Sequence, residues 1–532
     1  MNKKNLLLVV IIFVSIVAGI MLGNLLSRRA IGASLFSQKG HNKVSDVMSI
    51  IDNLYVDSVN VNQMTEEMMT DMVSKLDPHS VYIPAADLAD VNSELEGSFS
   101  GIGVQFNIQN DTVMIIAVVS GGPSEKVGLV AGDRIVQVND SSFVGKKISN
   151  EKVMKKLRGK ADTKVKLGIR RHGTKEILHY SVTRGKIPVN TVDVAYIIEP
   201  GVGFIKVNKF GETTYSEFLD AIAHLRNQGA KKYIIDLREN PGGLMDQAIN
   251  MVNEFLPAGR MIVYAQGKAY PRREDKADGK GSCISQPIVV LVDEFSASAS
   301  EIFSGAIQDN DRGMIIGRRS FGKGLVQQQL PLKDGSAIRL TVARYYTPSG
   351  RSIQKPYVKG KAEDYEMDII NRYKHGEFDS RDSIHVADSL KFKTVGGRTV
   401  YGGGGIMPDL FVPRDTSEYT SYLNKVTNYG YLYQYAFQYT DRNRDKLKSF
   451  KTWQTMQQYL NSQNLLSGFV QFATSKGVAA NQAQINVSKK LLVNQLQAYI
   501  CRNTLGDNGF YPVLYKDDIT VKRALEQLKN KH

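Results

Sequence analysis

Two turns of this sequence carry the residue types that covalent acyl transfer needs. The apolar run Ile288–Val292 is followed by a Ser/Ala-rich stretch that contains Ser296, Ser298 and Ser300. A buried strand that leads into a helix exposes a hydroxyl beside backbone N–H groups and the positive end of the helix dipole. Further along the chain, Lys323 lies between two glycines, and a serine with a lysine base is a recognised variant of the serine-protease arrangement. The two turns therefore predict a nucleophile and its base.

The pattern around the serines allows a structural role as well as a chemical one. Ser298 and Glu301 fit the S-x-x-E capping box, which places Ser298 at the N-cap of the following helix. Residue types alone leave Ser296, Ser298 and Ser300 as competing nucleophiles. None of the eight histidines lies in these turns, and no G-x-S-x-G motif occurs, so a lysine is favoured as the base. Such a lysine must be desolvated, because its free pKa is about 10.4.

An acyl-transfer site also needs donors for the developing oxyanion. The backbone N–H of Ala299, next to Ser298, is one candidate. Gly242 or Gly243, in the turn that Pro241 makes rigid, supplies the other. Three charged residues near these turns are interpreted as scaffold ion pairs: Asp236, Arg238 and Asp309.

The turn around Lys323 has a second interpretation. From Gly317 to Lys323 the chain matches most of a phosphate-binding P-loop. That motif requires Ser or Thr after the lysine to ligate Mg²⁺, and this chain has Gly324 there. A nucleotide-dependent protease is therefore a disfavoured alternative, and no cofactor is expected. No metal is expected either, because the two cysteines lie far apart and lack metal-ligand spacing.

The elements that must position these turns indicate an α/β multidomain chain. Strands alternate with helices from about residue 186 to 355, which is typical of an α/β sheet covered by helices. Sites in such sheets lie outside the carboxyl ends of strands, so the turn at residues 240–243 and the serine turn could face each other. Residues 356–395 are polar and weakly patterned, which indicates an insertion.

Residues 97–185 have a different texture, with short strands and two small helices in a compact module. The loop that contains Gly101, Ile102 and Gly103, followed by Val104, resembles the peptide-binding loop of a PDZ domain. In that fold, N–H groups of the loop bind the C-terminal carboxylate of a peptide, which adds to the sheet as a strand. The resemblance implies peptide binding at these four residues, and the alternative is a β-rich spacer.

The amino-terminal sequence indicates a membrane anchor. Residues 6–23 form an apolar run behind Lys3 and Lys4, close to the about 20 residues that a bilayer requires. The run exceeds the roughly 7–15 residues of a secretory h-region. We therefore expect an uncleaved signal anchor over residues 1–26, with cleavage near residues 30–33 as the alternative. The formal net charge is +15, but the basic residues are scattered and no nucleic-acid motif occurs, so nucleic acid is not an expected partner.

Several long motifs jointly resemble the carboxy-terminal processing peptidases, also called tail-specific proteases, over roughly residues 41–415. The motifs are Leu76-Asp77-Pro78-His79-Ser80, Asp236 through Gly243, Ser296 through Ile302, Gln308-Asp309, Phe321 through Gln327 and Tyr346 through Arg351. The resemblance implies a crotonase-like α/β core in which Ser298 is the nucleophile and Lys323 the general base. It also implies that Gln327 orients Lys323, that Asp309 supports the site, and that the PDZ domain steers an extended substrate.

Together these features predict a membrane-anchored serine endopeptidase that recognises proteins by their exposed C-terminal tails. The catalytic part is expected in the periplasm, held at the inner membrane by the N-terminal helix. The alternative is an inert PDZ scaffold that tethers envelope proteins, and a homo-oligomer or a regulatory adaptor is left open. The expected divisions are a signal anchor (1–26), a helical region (27–96), a PDZ-like domain (97–185), a peptidase domain (186–415) and a helical C-terminal region (416–532).

Overall fold

The computed structural model describes residues 43–93, 96–109, 111–119, 121–171 and 173–530. The chain divides into two units, one up to Val73 and one from Ser74 onward. The described part of the first unit holds helix α1 (Lys43–Leu54) and nearly all of α2 (Val61–Ser74). Within the ranges given above, no helix has the length and apolar character to span a bilayer. The expected anchor over residues 1–26 lies outside those ranges.

The described part of region 27–96 is helical, as expected, and it also contains one short strand. Strand β1 (Val81–Ile83) precedes helix α3 (Ala85–Ser93). The strand pairs antiparallel with β18 (Ala337–Tyr346). Three residues are too few to show a β period in the sequence, and the pairing that stabilises them comes from a strand far along the chain.

A β-rich module follows. Its elements are β2 (Ser98–Gly101), β3 (Val104–Gln109), β4 (Thr112–Val118), α4 (Pro123–Lys126), β5 (Arg134–Val138), β6 (Ser141–Ser142), α5 (Asn150–Leu157), β7 (Lys164–Arg170), β8 (Leu178–Thr183) and β9 (Gly185–Pro188). Antiparallel pairing joins β3, β4, β5, β7 and β8 in that order, while β2 pairs with β9. Alternate residues of β7 face the core, where Val165 and Leu167 pack with Val153 of α5. The predicted compact module is confirmed.

The α/β core is built on a six-stranded sheet. Its elements are β10 (Val192–Glu199), β11 (Val202–Val207), α6 (Thr214–Asn227), β12 (Lys232–Asp236), α7 (Met245–Asn253), β15 (Ile288–Val292), α8 (Ala299–Asp309), β16 (Met314–Gly317) and β21 (Leu410–Phe411). The strand order is β10-β11-β12-β15-β16-β21, with β10 antiparallel and the others parallel. Every residue of β15 is buried, as expected for a parallel strand covered on both faces.

A second, antiparallel sheet lies in the same unit. It contains β1, β13 (Met261–Gln266), β14 (Arg273–Lys276), β17 (Leu325–Pro331) and β18. The expected insertion at residues 356–395 is more ordered than its pattern indicates. It contains α9 (Ala362–Glu366), α10 (Asp368–Lys374), two 3₁₀ turns (Arg381–Ser383 and Asp388–Leu390) and β19 (Lys391–Lys393), which pairs with β20 (Thr399–Tyr401).

The C-terminal region is helical, as predicted. Its helices are α11 (Ser421–Asn428), α12 (Tyr431–Arg442), α13 (Arg444–Lys448), α14 (Trp453–Asn461), α15 (Leu465–Ser475), α16 (Gln482–Leu505), α17 (Asp507–Leu514), a 3₁₀ turn (Tyr515–Asp517) and α18 (Ile519–Asn530). The central helix α16 buries Leu492 and Leu496 among its neighbours. Helix α18 packs Val521 and Leu528 against Leu291 of β15, so this region covers one face of the core sheet. The domain limits themselves stay predictions.

Candidate active site

Ser298 lies where β15 turns into α8. It is the N-cap residue of that helix, and its φ of 54° with ψ of −113° is a conformation that residues with a Cβ rarely adopt. The other two serines of the turn are fully buried and hold the scaffold. Ser296 Oγ donates to the carbonyl of Leu237 at 2.8 Å, and Ser300 Oγ donates to the carbonyl of Asn240 at 3.0 Å. Of the three competing serines, Ser298 alone is partly exposed.

A buried carboxylate, Glu301, joins the serine turn to the lysine turn. Its Oε2 accepts the N–H of Ser298 at 2.8 Å and the N–H of Lys323 at 2.9 Å. Its Oε1 accepts Ser320 Oγ at 2.5 Å and the N–H of Gly322 at 2.7 Å. The two backbones therefore lie within two hydrogen-bond lengths of each other.

Tyr345 of β18 makes a second link between the same two residues. Its buried hydroxyl lies 2.6 Å from the carbonyl oxygen of Lys323 and 3.0 Å from that of Ser298, so it donates to a shared acceptor pair. Burial holds the pKa of this phenol well above its usual value, so it stays a donor at all working pH values. Glu301 thus binds the N–H groups of Ser298 and Lys323, and Tyr345 binds their carbonyl oxygens.

The electrostatics of this cluster favour a neutral lysine. Burial, followed by the charge of Arg339, lowers the pKa of Lys323, while Glu301 and Asp77 act in the opposite direction. Burial raises the pKa of Glu301 to about 7, against the hydrogen bonds that favour its ionised form. Within the described part of the chain, the Lys323 ammonium forms no salt bridge. The neutral amine, which is the form that accepts a proton, is therefore more favoured here than in an exposed lysine.

The predicted oxyanion donors lie beside Ser298. The N–H of Ala299 and the N–H of Gly243 donate to no group among the described residues. Gly242 differs from the prediction, because its N–H donates to Asn240 Oδ1 at 2.9 Å. Gly242 instead leaves room for Ser298, because a Cβ at position 242 would lie 2.7 Å from the Cβ of Ser298. The φ of Gly242 is +98°.

A cavity of about 540 Å³, here called the serine cleft, opens on this cluster. Its lining residues are His79, Glu239, Pro241, Phe295, Ala297, Phe321 and Lys323. Most of this lining is apolar, which suits a hydrophobic side chain. His79 Nε2 lies 3.0 Å from the Tyr365 hydroxyl of α9, so the insertion helps to build the cleft. Burial, followed by the charge of Lys323, lowers the pKa of His79 to about 4, so the imidazole is neutral.

Among the described residues, neither Gln327 nor Asp309 forms a hydrogen bond or ion pair with Ser298 or Lys323. Gln327 Nε2 lies 3.4 Å from Thr341 Oγ1, so the structure shows no bond by which it orients Lys323. Asp309, at the far end of α8, forms a fully buried ion pair with Arg351 at 2.8 Å. Its support for the site is therefore indirect, through the position of the helix.

Two further charged residues form the scaffold pairs that were expected. Arg238 contacts Asp236 at 2.8 Å and Asp518 at 2.7 Å. The second contact joins the turn after β12 to the C-terminal region. The P-loop interpretation is wrong, because the strand β17 follows Lys323 where a P-loop requires a helix. No group of three or more His, Cys, Asp or Glu side chains that could hold a metal occurs among the residues with described positions.

The β-rich module has a groove of about 320 Å³ between β3 and α5. Gly101, Ile102, Gly103 and Val104 line it on one side, and the opposite wall includes Met154. The N–H groups of Ile102 and Gly103 donate to no described group, and φ of Gly103 is +75°. The four residues predicted to bind peptide therefore line one groove, and two of their N–H groups are free to donate hydrogen bonds.

Four residues that contribute to the site were not identified from the sequence. Glu301 was recognised only as half of a capping box, and nothing in its spacing indicated the bonds to the lysine turn. Tyr345 and Tyr365 carried no signal, because each reaches the site from a distant element. His79 lies in one of the motifs that carry the family resemblance, which is the signal that could have identified it.

Sequence comparisons agree with this geometry. Residues 201–367 match Peptidase family S41, residues 100–182 match the PDZ domain, and residues 422–506 match a family of unknown function, DUF8443. The carboxy-terminal processing protease CtpA of Bacillus subtilis is 35% identical over 357 residues, covering 65% of this chain and 75% of that protein. The carboxy-terminal-processing protease of Bartonella bacilliformis is 36% identical over 320 residues, covering 59% of this chain and 72% of that protein.

Among solved structures, the photosystem II D1 C-terminal processing protease is similar to this chain at 29% identity. The match covers 59% of this chain and 90% of that chain, with a TM-score of 0.34.

Proposed function

We propose, on the premise that this chain belongs to peptidase family S41 and is a serine-type peptidase, that Ser298 is its nucleophile and Lys323 its general base. The observation that carries the proposal is the double link through Glu301 and Tyr345, which holds the two residues together at the serine cleft. The two links bring the backbones of the proposed nucleophile and base close together, and burial desolvates the base, as covalent catalysis requires.

The geometry supports the following sequence of steps. Ser298 Oγ attacks the scissile carbonyl as its proton passes to Lys323 Nζ. The oxyanion accepts hydrogen bonds from the free N–H groups of Ala299 and Gly243. Lys323 then gives the proton to the leaving amine, and a water activated by the same lysine releases the acyl group from Ser298. A lysine whose pKa is lowered by burial is more often neutral than an ordinary lysine and returns the proton more readily.

The test compares wild type with Ser298→Ala and Lys323→Ala on an unfolded protein that ends in apolar residues, with fragments identified by mass spectrometry. Ser300→Ala is the matched control, because the Ser300 hydroxyl donates to the carbonyl of Asn240 and to no other described group. We expect cleavage by wild type and the control alone. Cleavage by Ser298→Ala would refute the assignment, and no cleavage by wild type would favour the inert scaffold.

We further propose that the groove of the PDZ domain recognises C-terminal tails that end in apolar residues. Support comes from the free N–H groups of Ile102 and Gly103, which suit a carboxylate, and from the apolar wall at Met154. A free-acid peptide should bind at least tenfold tighter than its C-terminal amide, and Met154→Lys should weaken binding. Equal affinity for acid and amide would contradict this proposal.

The apolar run at residues 6–23 supports a third proposal, that an anchor over residues 1–26 holds the enzyme at the inner membrane with its catalytic part in the periplasm. In fractionated cells, the full chain should sediment with membranes, and protease added to spheroplasts should digest it. Protection in intact spheroplasts would place the catalytic part on the other side.

A further inference from the structure

A second cleft, larger than the serine cleft at about 830 Å³, lies between the α/β core and the C-terminal helices. We call it the acidic cleft. Its walls come from the turns after β12 and β15, from α10 of the insertion, and from C-terminal residues between 413 and 520. Glu239 and Phe295 line both this cleft and the serine cleft, so the two cavities adjoin.

The charge of this cleft opposes that of the whole chain, which is +15. Seven acidic and four basic side chains line it. Three of the basic side chains are neutralised in ion pairs, which are Arg318–Glu294, Arg238–Asp518 and Lys490–Asp517. The other four acidic residues, Glu239, Asp293, Asp415 and Glu418, form no salt bridge with any described residue, and Arg414 is the one basic lining residue left to offset them. The cleft is therefore locally negative and attracts cations.

The same cleft exposes large apolar side chains from three separate regions. Phe295 of the serine turn is 48% exposed, Tyr373 of α10 is 52% exposed, and Tyr419 beside the C-terminal helices is 45% exposed. Ile370 and Ile519 add further apolar surface. Exposed aromatic groups beside unpaired carboxylates suit a polypeptide with alternating apolar and basic side chains.

We propose that the acidic cleft is a binding site for an extended segment of the polypeptide substrate on one side of the scissile bond, with a preference for segments that combine Lys or Arg with apolar residues. The proposal rests on the peptidase activity assigned to Ser298. Continuity with the serine cleft through Glu239 and Phe295 favours the substrate itself over a separate partner.

The test uses peptides with one mapped cleavage sequence and one apolar tail. The flanking segment carries either three lysines or three glutamates, on the amino side in one pair and on the carboxyl side in the other. In one of the two pairs, wild type should cleave the lysine peptide with a kcat/KM at least about tenfold higher than that of the glutamate peptide at low salt. Added salt should reduce this preference. The variant Glu418→Lys should reduce the preference at least threefold. Asp220→Lys makes the same charge change on the exposed surface of α6 and should leave it unchanged.

Binding to the Ser298→Ala protein separates this inference from the proposed function. Fluorescence anisotropy should show the same lysine preference and the same dependence on Glu418. Efficient cleavage with no charge preference on either side would overturn the acidic cleft as a substrate site while the peptidase assignment stands. Charge-selective binding that depends on Glu418, without any cleavage by wild type, would uphold the site and overturn the proposed function.

Discussion

The substitution Glu301→Gln tests the link between the serine and lysine turns. The carboxylate accepts four hydrogen bonds, from Ser298, Ser320, Gly322 and Lys323. An amide keeps one acceptor oxygen and turns an NH₂ group toward two donors, so two bonds are lost. Hydrogen bonds to a charged group stabilise by about 1.5–3 kcal/mol each, and removing a costly buried charge offsets about half of the loss. We expect a fall in unfolding free energy of about 2 kcal/mol, within a factor of two, at pH 7.

The effect on activity should be larger than the effect on stability. With the bond from Ser298 or Lys323 broken, the proposed nucleophile and base should move apart, and misplacement by about 1 Å lowers rates by about 100-fold. We therefore expect kcat/KM to fall at least about 100-fold, measured on a fluorogenic peptide beside urea unfolding. Glu254→Gln is the matched control, because this buried carboxylate accepts Tyr215 Oη and the N–H of Ser282 outside the serine cleft. A folded Glu301→Gln protein with kcat/KM within threefold of wild type would refute the reasoning.

The same variant carries a pH signature. Burial raises the pKa of Glu301 from 4.5 to about 7, so the folded protein binds a proton that the unfolded chain releases. This contribution to stability is complete below pH 4.5 and is lost as the pH rises through 7. The unfolding free energy of wild type relative to Glu301→Gln should therefore fall by up to about 3 kcal/mol between pH 4.5 and 8. Parallel pH dependences for the two proteins would contradict the origin assigned to the shift.

Two further substitutions address the donors and the base. Gly242→Ala should abolish cleavage, because the new Cβ would lie 2.7 Å from the Cβ of Ser298. Gly229→Ala is also at positive φ but has no atom within 4 Å of the new Cβ, so it should keep activity at a small cost in stability. Equal losses of activity in both variants would refute a steric cause. Arg339→Gln removes a charge that lowers the pKa of Lys323, so the increase of kcat/KM with rising pH should occur at higher pH than in wild type. Arg344→Gln on the same strand should leave the pH profile unchanged. A shift to lower pH in Arg339→Gln would contradict the neutral-lysine assignment.

Local patterns in the sequence determined most of the elements around the site. The apolar run of β15 and the S-x-x-E signal after it place Ser298 at the N-cap of α8, because strand burial and helix capping depend on neighbouring residues. The same holds for the alternating strands of the PDZ domain and for the helical C-terminal region. Strand β1 was not predicted from the sequence, because its pairing with the distant strand β18 stabilises it.

The sequence by itself also determined which residue types we propose for the chemistry, since a serine and a lysine in serine-rich or glycine-rich turns are visible without a structure. Only the tertiary structure decided how they meet. Glu301 binds two turns that parallel strands bring to one sheet edge, and Tyr345 reaches both from the second sheet. The acidic cleft likewise exists only where the insertion and the C-terminal helices pack against the core. These contacts join residues far apart in sequence, and their hydrogen bonds and charges act through space, which no periodicity along the chain records.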